Sequence, residues 1–236
     1  MIKFFKKIRI KLLSENKFSK YLIYAIGEII LVVIGILIAL SINNWNEKQK
    51  QKNKLNEIYL NVINDITTNI DGVQKVIDFI ESNSEMFDKV MQDSLVEDDV
   101  INGRAAYLLT GYQELSIEKS GFQELAQMNA NDSLSIIVLK KHNYYSKYIE
   151  RLELAITSNM YNTLKDWRDN YAWFPEFVSG DLNKEAIDYF LNSQDYRNKI
   201  AYHFVDVYVD YLNVLKSFQI DMGRIRKELN QKLINK

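Results

Sequence analysis

Cysteine is absent from this chain of 236 residues, and proline occurs once, as Pro175. Without cysteine the chain cannot form disulfides, thiol active sites or cysteine-ligated zinc sites. With one proline and eight glycines, interruptions of regular structure are few. Such a composition favours long helices over the frequent turns of an all-β fold. The predicted fold class is therefore all-α, and an apolar content of 47% is enough to build a core.

Motifs for catalysis and metal binding are also missing. The only histidines are His142 and His203, and neither belongs to a Glu-x-x-His or His-Glu-x-x-His pattern. The sequence contains no phosphate-binding glycine loop and no nucleophile elbow. His203 and Asp206 share a helix face at a spacing of three, as do Glu150 and Glu153, but charged helices often show this spacing by chance. We therefore expect no catalytic residue, metal or cofactor, and interpret the protein as not an enzyme.

Charge is distributed unevenly although the net charge is −1. Residues 1–54 contain 11 lysines and arginines against three acidic residues, whereas the remainder contains 19 basic and 28 acidic residues. A basic segment beside an apolar one favours contact with anionic lipid, and an acidic remainder disfavours nucleic acid. The predicted partners thus include the lipid bilayer and exclude nucleic acid.

The longest apolar run covers residues 22–42 and reads LIYAIGEIILVVIGILIALSI, with Glu28 as its only charge. As a helix it extends about 31 Å, which matches a hydrocarbon core of about 30 Å. A buried core helix is disfavoured because the run is apolar on every face. A cleavable signal peptide stays an alternative, since Ala39-Leu40-Ser41 resembles a cleavage site, but signal cores are usually only ~7–15 residues long.

Positive charge predicts the orientation of this helix. Seven lysines and arginines precede it and four follow closely, which favours a cytoplasmic N-terminus in a bacterial inner membrane. The predicted organisation has three parts: a basic juxtamembrane segment (1–20), a single transmembrane helix (21–45) and an extracytoplasmic helical domain (46–236).

Residues 17–47, KFSKYLIYAIGEIILVVIGILIALSINNWNE, resemble the signature of an uncharacterised family of bacterial single-pass membrane proteins, a domain of unknown function. The later stretch SGFQELAQMN, residues 120–129, resembles another part of the same family. This resemblance implies a membrane location and an all-helical extracytoplasmic part. It implies no activity and no catalytic residues.

Apolar spacing predicts three long helices after the membrane segment. The first covers about 55–91 and can continue the membrane helix, the second begins near Asp132 and ends before Tyr171, and the third covers about 196–233. A short helix is predicted around 184–191. Long helices with compact connections predict an elongated antiparallel bundle.

In such a bundle the first helix leaves the membrane, the second returns and the third departs again. That path places four aromatic residues at the membrane-proximal end, where they contact lipid or a membrane partner: Tyr171, Trp173, Phe174 and Phe177. The alternative is that these rings close the end of the bundle core.

Glu28 is unusual in the predicted transmembrane helix, because a charge within the bilayer is costly. Gly35 and Ala39 follow it at spacings of seven and four and share its face, and Gly27 borders that face. Small residues let a second helix approach, and a polar side chain can bond across. We expect this face to pack against another transmembrane helix, from a second copy or another protein. The alternative is a lone glutamate that reaches the cytoplasmic interface.

Two functions are consistent with these features. The first is a membrane-anchored interaction protein, an accessory subunit or scaffold of an envelope complex. The alternative is an extracytoplasmic ligand-binding sensor module that signals through a partner transmembrane helix. A third hypothesis is an enzyme that acts on envelope polymers, which no motif supports. A pocket with converging polar groups favours the second or the third hypothesis, and a solid bundle with an exposed apolar groove favours the first.

Overall fold

The computed structural model describes Ile10 and residues 18–130 and 132–234, and every regular element in these residues is helical. The chain divides into two compact units, with the division between Leu55 and Asn56. We number the α-helices α1 to α9: α1 Phe18–Ser82, α2 Ser84–Met91, α3 Glu97–Ile101, α4 Ser120–Gln127, α5 Ser133–Asn170, α6 Phe174–Ser179, α7 Lys184–Asn192, α8 Gln194–Phe204 and α9 Leu212–Ile234. A 3-10 turn covers Ala105–Tyr107, and a π-helical segment, Val205–Tyr211, joins α8 to α9. The all-α prediction is confirmed.

Helix α1 passes from the apolar run into the second unit without a break. It ends at a turn in which the Asn83 amide nitrogen Nδ2 donates to the carbonyl of Phe79 at 3.0 Å. The most apolar 18-residue window of α1 is not buried at all, which is opposite to what a core helix of a soluble protein shows. This helix is long and apolar enough to cross a membrane.

Helix α5 begins and ends where the sequence predicts. Asp132 is its N-cap and accepts a hydrogen bond from the amide of Ser135 at 3.4 Å. The chain leaves the helix at Tyr171, which is extended, and Pro175 then lies in the first turn of α6, where its missing N–H costs nothing. The short helix predicted around 184–191 is present as α7.

The π-helical segment follows from apolar spacing. Buried residues recur at intervals of four through His203, Val207, Tyr211 and Leu215. In an α-helix each such step overshoots a full turn by about 40°, so three steps would carry the side chains off the core face. The wider π turn absorbs the excess and keeps all four residues buried.

Helices α1 and α5 run in the same direction, which differs from the predicted path. Both are antiparallel to the C-terminal helix formed by α8, the π segment and α9. Side-chain hydrogen bonds define the α1 pairing: Thr67–Arg226, Gln74–Gln219 and Glu81–Lys216. Others define the α5 pairing: Tyr145–Asp221, Tyr211–Glu153 and Asn159–Asp206. The prediction that the second long helix runs opposite to the first is therefore wrong.

The parallel arrangement requires a return path between α1 and α5, and residues 112–119 supply it without regular secondary structure. Their backbone is held by side chains of the long helices. Asn69 accepts from the amide of Glu118 at 2.7 Å and donates to its carbonyl at 2.8 Å. Asp65 accepts from the amide of Gly121 at 2.7 Å. We call residues 112–119 the return segment.

Candidate functional site

The predicted interaction face on the apolar part of α1 presents small residues with space beside them. A Cβ built on Gly27 or Gly35 would meet no heavy atom of the described residues within 4 Å. Gly35 and Ala39 are exposed, and Gly27 and Glu28 are half-buried. Within the described part of the first unit, this face therefore has room for the close approach of another helix.

The four aromatic residues that were predicted to lie near the membrane come directly after the C-terminal end of α5. Trp173 is 1% exposed and Phe177 is 5% exposed. The ring of Trp173 packs against Trp167 at a centroid distance of 5.7 Å and against Phe190 at 5.4 Å.

Tyr171 and Phe174 are half-buried and pack against the same core. The prediction that these four residues lie near the membrane assumed that α5 is antiparallel to α1. Because the two helices are parallel, this reason for the prediction no longer holds. Trp173 and Phe177 have almost no surface left for lipid, and the alternative of core packing describes these two residues.

The two pairs at a spacing of three do not form sites. His203 stacks on Phe87 with ring centroids 5.6 Å apart, whereas Asp206 accepts a hydrogen bond from Asn159 at 2.6 Å. Glu150 is exposed, and Glu153 points into the second unit. Among the residues that the structure describes, no group of three or more histidine and acidic side chains is arranged to hold a metal ion.

The second unit contains an open cleft of about 320 Å³ that the sequence did not predict. We call it the Arg104 cleft. It is formed by the last turns of α1, the 3-10 turn and the start of the return path. Its lining residues are Phe79, Asn83, Arg104, Tyr107, Leu108 and Gly111.

The wall that carries Arg104 is fixed by buried neighbours. Ala105 and Ala106 are fully buried, and the hydroxyl of Tyr196 donates to the carbonyl of Ala105. The ring of Tyr107 stacks on Phe177 at 5.2 Å, so the aromatic core also supports the cleft. Arg104 is thus an exposed cation on a rigid turn.

A narrow inner cavity of about 30 Å³ adjoins the cleft and shares Phe79, Asn83, Leu108 and Gly111 with it. His203 lines the cavity, and burial lowers its pKa to about 4, so its imidazole is neutral at pH 7. The hydroxyl of Tyr208 also lines it and donates to the carbonyl of Ile80 at 2.8 Å. The cavity is therefore polar in places but uncharged.

Glu153 lies beside this cavity and anchors the return segment. It accepts hydrogen bonds from the Tyr211 hydroxyl at 2.7 Å and from the amide of Leu115 at 3.3 Å. Burial raises the pKa of Glu153, and the hydrogen bonds from Tyr211 and Tyr112 oppose that rise. The carboxylate of Glu153 is thus held by donors of the protein itself, and Arg104 is the charged residue that lines the cleft.

Known proteins do not settle the assignment. Comparisons with protein-family models, curated proteins and solved structures find no match to this chain. The resemblance to a family of single-pass membrane proteins therefore stays a prediction. The structure does account for part of the SGFQELAQMN stretch: a Cβ on Gly121 would lie 2.6 Å from backbone atoms of Asn61 and Val62, so only glycine allows α4 to approach α1 this closely.

Sequence reasoning missed the Arg104 cleft because its walls come from distant parts of the chain. One signal was available. Arg104 is the only charged residue between residues 100 and 113, in the otherwise uncharged stretch VINGRAAYLLTGYQ. A single cation in such a stretch indicates a residue with a specific surrounding.

Proposed function

We propose that this protein is a membrane-anchored helical interaction protein, an accessory subunit or scaffold of a bacterial envelope complex. Its N-terminal helix crosses the inner membrane with a cytoplasmic N-terminus and pairs with a second transmembrane helix. The helical domain from residue 46 onward is extracytoplasmic. The proposal assigns binding roles to the chain and no catalytic role.

The observation that carries this proposal is the free space beside Gly27 and Gly35 on an exposed apolar helix. A lipid-facing helix gains little from apolar contact with another helix, since lipid tails are equally apolar. Close backbone approach at small residues and a polar bond across the interface supply the association instead. Glu28, Gly35 and Ala39 provide both features on one face.

Single-cysteine crosslinking in native membranes tests the pairing, and the cysteine-free chain makes it unambiguous. Ala39→Cys puts a thiol on the proposed face, and Leu37→Cys, about 180° around the helix, is the matched control. We expect oxidation to join two copies through residue 39 and not through residue 37. Adding Glu28→Leu should remove that product.

If the partner is a different membrane protein and not a second copy, the crosslinked product changes but the helix face that forms it does not. A photo-crosslinking residue at position 39 would then capture a different membrane protein, and Glu28→Leu would release it. Equal crosslinking from positions 37 and 39, or capture that does not depend on Glu28, contradicts the pairing.

A ligand-binding sensor module is the second candidate, and the Arg104 cleft favours it. The cleft volume of about 320 Å³ lies at the lower end of the range of small-molecule sites, roughly 300–1,000 Å³. Such a module would signal through the partner helix, so it requires the same pairing. Ligand binding and pairing are measured separately, which allows the two functions to be distinguished.

A further inference from the structure

We propose that the Arg104 cleft binds a small amphipathic monoanion, with a carboxylate on Arg104 and an apolar or aromatic body against Phe79 and Tyr107. The inference rests on the second function above and names its ligand class. Only signalling by that function requires the pairing of the transmembrane helix; ligand binding in the cleft is a separate event and is measured separately.

Charge favours an anion at this site. Arg104 is the only charged residue among the described residues that line the cleft and its inner cavity. In residues 18–130 and 132–234, no carboxylate lies within ion-pair distance of its guanidinium. A guanidinium presents two parallel N–H donors that match a carboxylate, and such charge-assisted bonds are stronger than neutral ones. The cation is therefore available for an incoming anion.

The floor and wall favour an apolar body. Phe79 and Leu108 supply apolar surface to the cleft, and the ring of Tyr107, which stacks on Phe177, lines it as well. One N–H of the Asn83 side-chain amide donates to the carbonyl of Phe79, and this neutral group adds no cation to the lining. One charged contact with apolar surroundings is the usual composition of a small-molecule site.

The inner cavity limits the ligand to one negative charge. His203 is neutral there, and the Tyr208 hydroxyl already donates within the protein. A second anionic group pushed inward would be desolvated without a cation to compensate. The space of about 30 Å³ accommodates about two water molecules or a small apolar group. A monoanion should therefore bind in preference to a dianion of the same size.

Photolabelling of the full chain in lipid nanodiscs tests this site with 4-benzoylbenzoate, an aromatic monoanion that inserts into nearby C–H bonds under ultraviolet light. Mass spectrometry of peptides should place the label in residues 79–83 and 104–111. Arg104→Gln should raise the concentration for half-maximal labelling about tenfold, the usual scale for a lost charge-assisted bond. Arg104→Lys should fall between the two, since lysine keeps the charge but not the fork.

Two controls separate the site from general apolar binding. Arg224→Gln removes an exposed arginine on α9 outside the cleft and should leave labelling unchanged. Neutral benzophenone should label the chain without dependence on Arg104.

Gly111→Leu blocks the cleft without altering charge, because a Cβ at this position already lies 3.6 Å from the Phe79 ring. This variant should abolish labelling of residues 79–83. A thermal unfolding midpoint close to that of the wild-type chain confirms that the variant is folded. Equal labelling of the wild-type and Arg104→Gln chains, or label confined to residues 22–42, overturns the proposal. Neither outcome bears on cysteine crosslinking at residue 39.

Discussion

Asn69 holds the return segment in place, and its replacement is the most direct test of the fold. The side chain is 1% exposed on α1 and bonds both backbone groups of Glu118, much as a neighbouring β-strand would. Asn69→Ala removes one acceptor and one donor and leaves the amide and carbonyl of Glu118 without these partners. A lost hydrogen bond costs about 0.5–1.5 kcal/mol net, and because Glu118 is exposed, water can partly replace the lost partners, so we expect the free energy of unfolding to fall by about 1–3 kcal/mol.

The assay is urea-induced unfolding of the full chain in detergent micelles, followed by tryptophan fluorescence from the buried Trp167 and Trp173. Hydrogen exchange of amides 115–120 adds a local readout, which should accelerate in the variant. Asn64→Ala is the matched control, since Asn64 is exposed on the same helix and its replacement should change stability by less than about 0.5 kcal/mol.

Asn69→Asp refines the test. The carboxylate still accepts from the amide of Glu118 but cannot donate to its carbonyl until it is protonated. Burial without a cation raises the pKa of a carboxyl group, so the folded chain would bind a proton more readily than the unfolded chain. Relative to wild type, this variant should recover stability as pH falls and lose it as pH rises through that pKa. Equal midpoints for Asn69→Ala and Asn64→Ala, or unchanged exchange at 115–120, would refute the role of Asn69.

Three further variants are expected to change stability, all measured by the same urea unfolding. Gly121→Ala should cost about 1–3 kcal/mol because its Cβ would overlap backbone of α1, whereas Gly223→Ala, with no atom within 4 Å, should be neutral or stabilising. Trp173→Ala should cost about 3–5 kcal/mol if the ring is core, and a normal midpoint with weaker liposome binding would favour membrane contact instead. Burial lowers the pKa of His203 from 6.5 to about 4. As the pH drops from about 6.5 toward 4, this residue should therefore lower the free energy of unfolding of the wild-type chain by up to about 1.4 kcal/mol per pH unit. His203→Gln should make that slope shallower, and an unchanged slope contradicts the burial of a neutral imidazole.

Elements with strong local signals could be predicted from the sequence. Asp132 before an apolar periodic stretch marked the start of α5, and the extended residue Tyr171 near Pro175 marked its end. The apolar run of residues 22–42 needed only its length and composition. These predictions succeeded because short-range chemistry, capping and helical period, decides each of them.

Direction and path could not be predicted in the same way. Whether α5 runs with or against α1 depends on the return segment, which has no periodic pattern and is fixed by Asn69, Asp65 and Glu153 from distant positions. In the sequence, Glu153 stood out only as a member of the pair Glu150 and Glu153, whose spacing of three is common on charged helices. The Arg104 cleft was missed for the same reason, since Phe79 and Arg104 meet only after the chain has turned back.

The parallel arrangement of α1 and α5 also determines the order in which the second unit can assemble. Helix α5 and the C-terminal helix are successive long helices joined through α6 and α7, so their contacts close early. The contacts between α1 and α9 form last: Arg226 and Lys232 reach Thr67 and Tyr59 across 159 and 173 residues of chain. During synthesis the part of the α1 face that packs against α9 must therefore stay uncovered until almost the whole chain has emerged, and in this interval the protein is most exposed to aggregation and proteolysis.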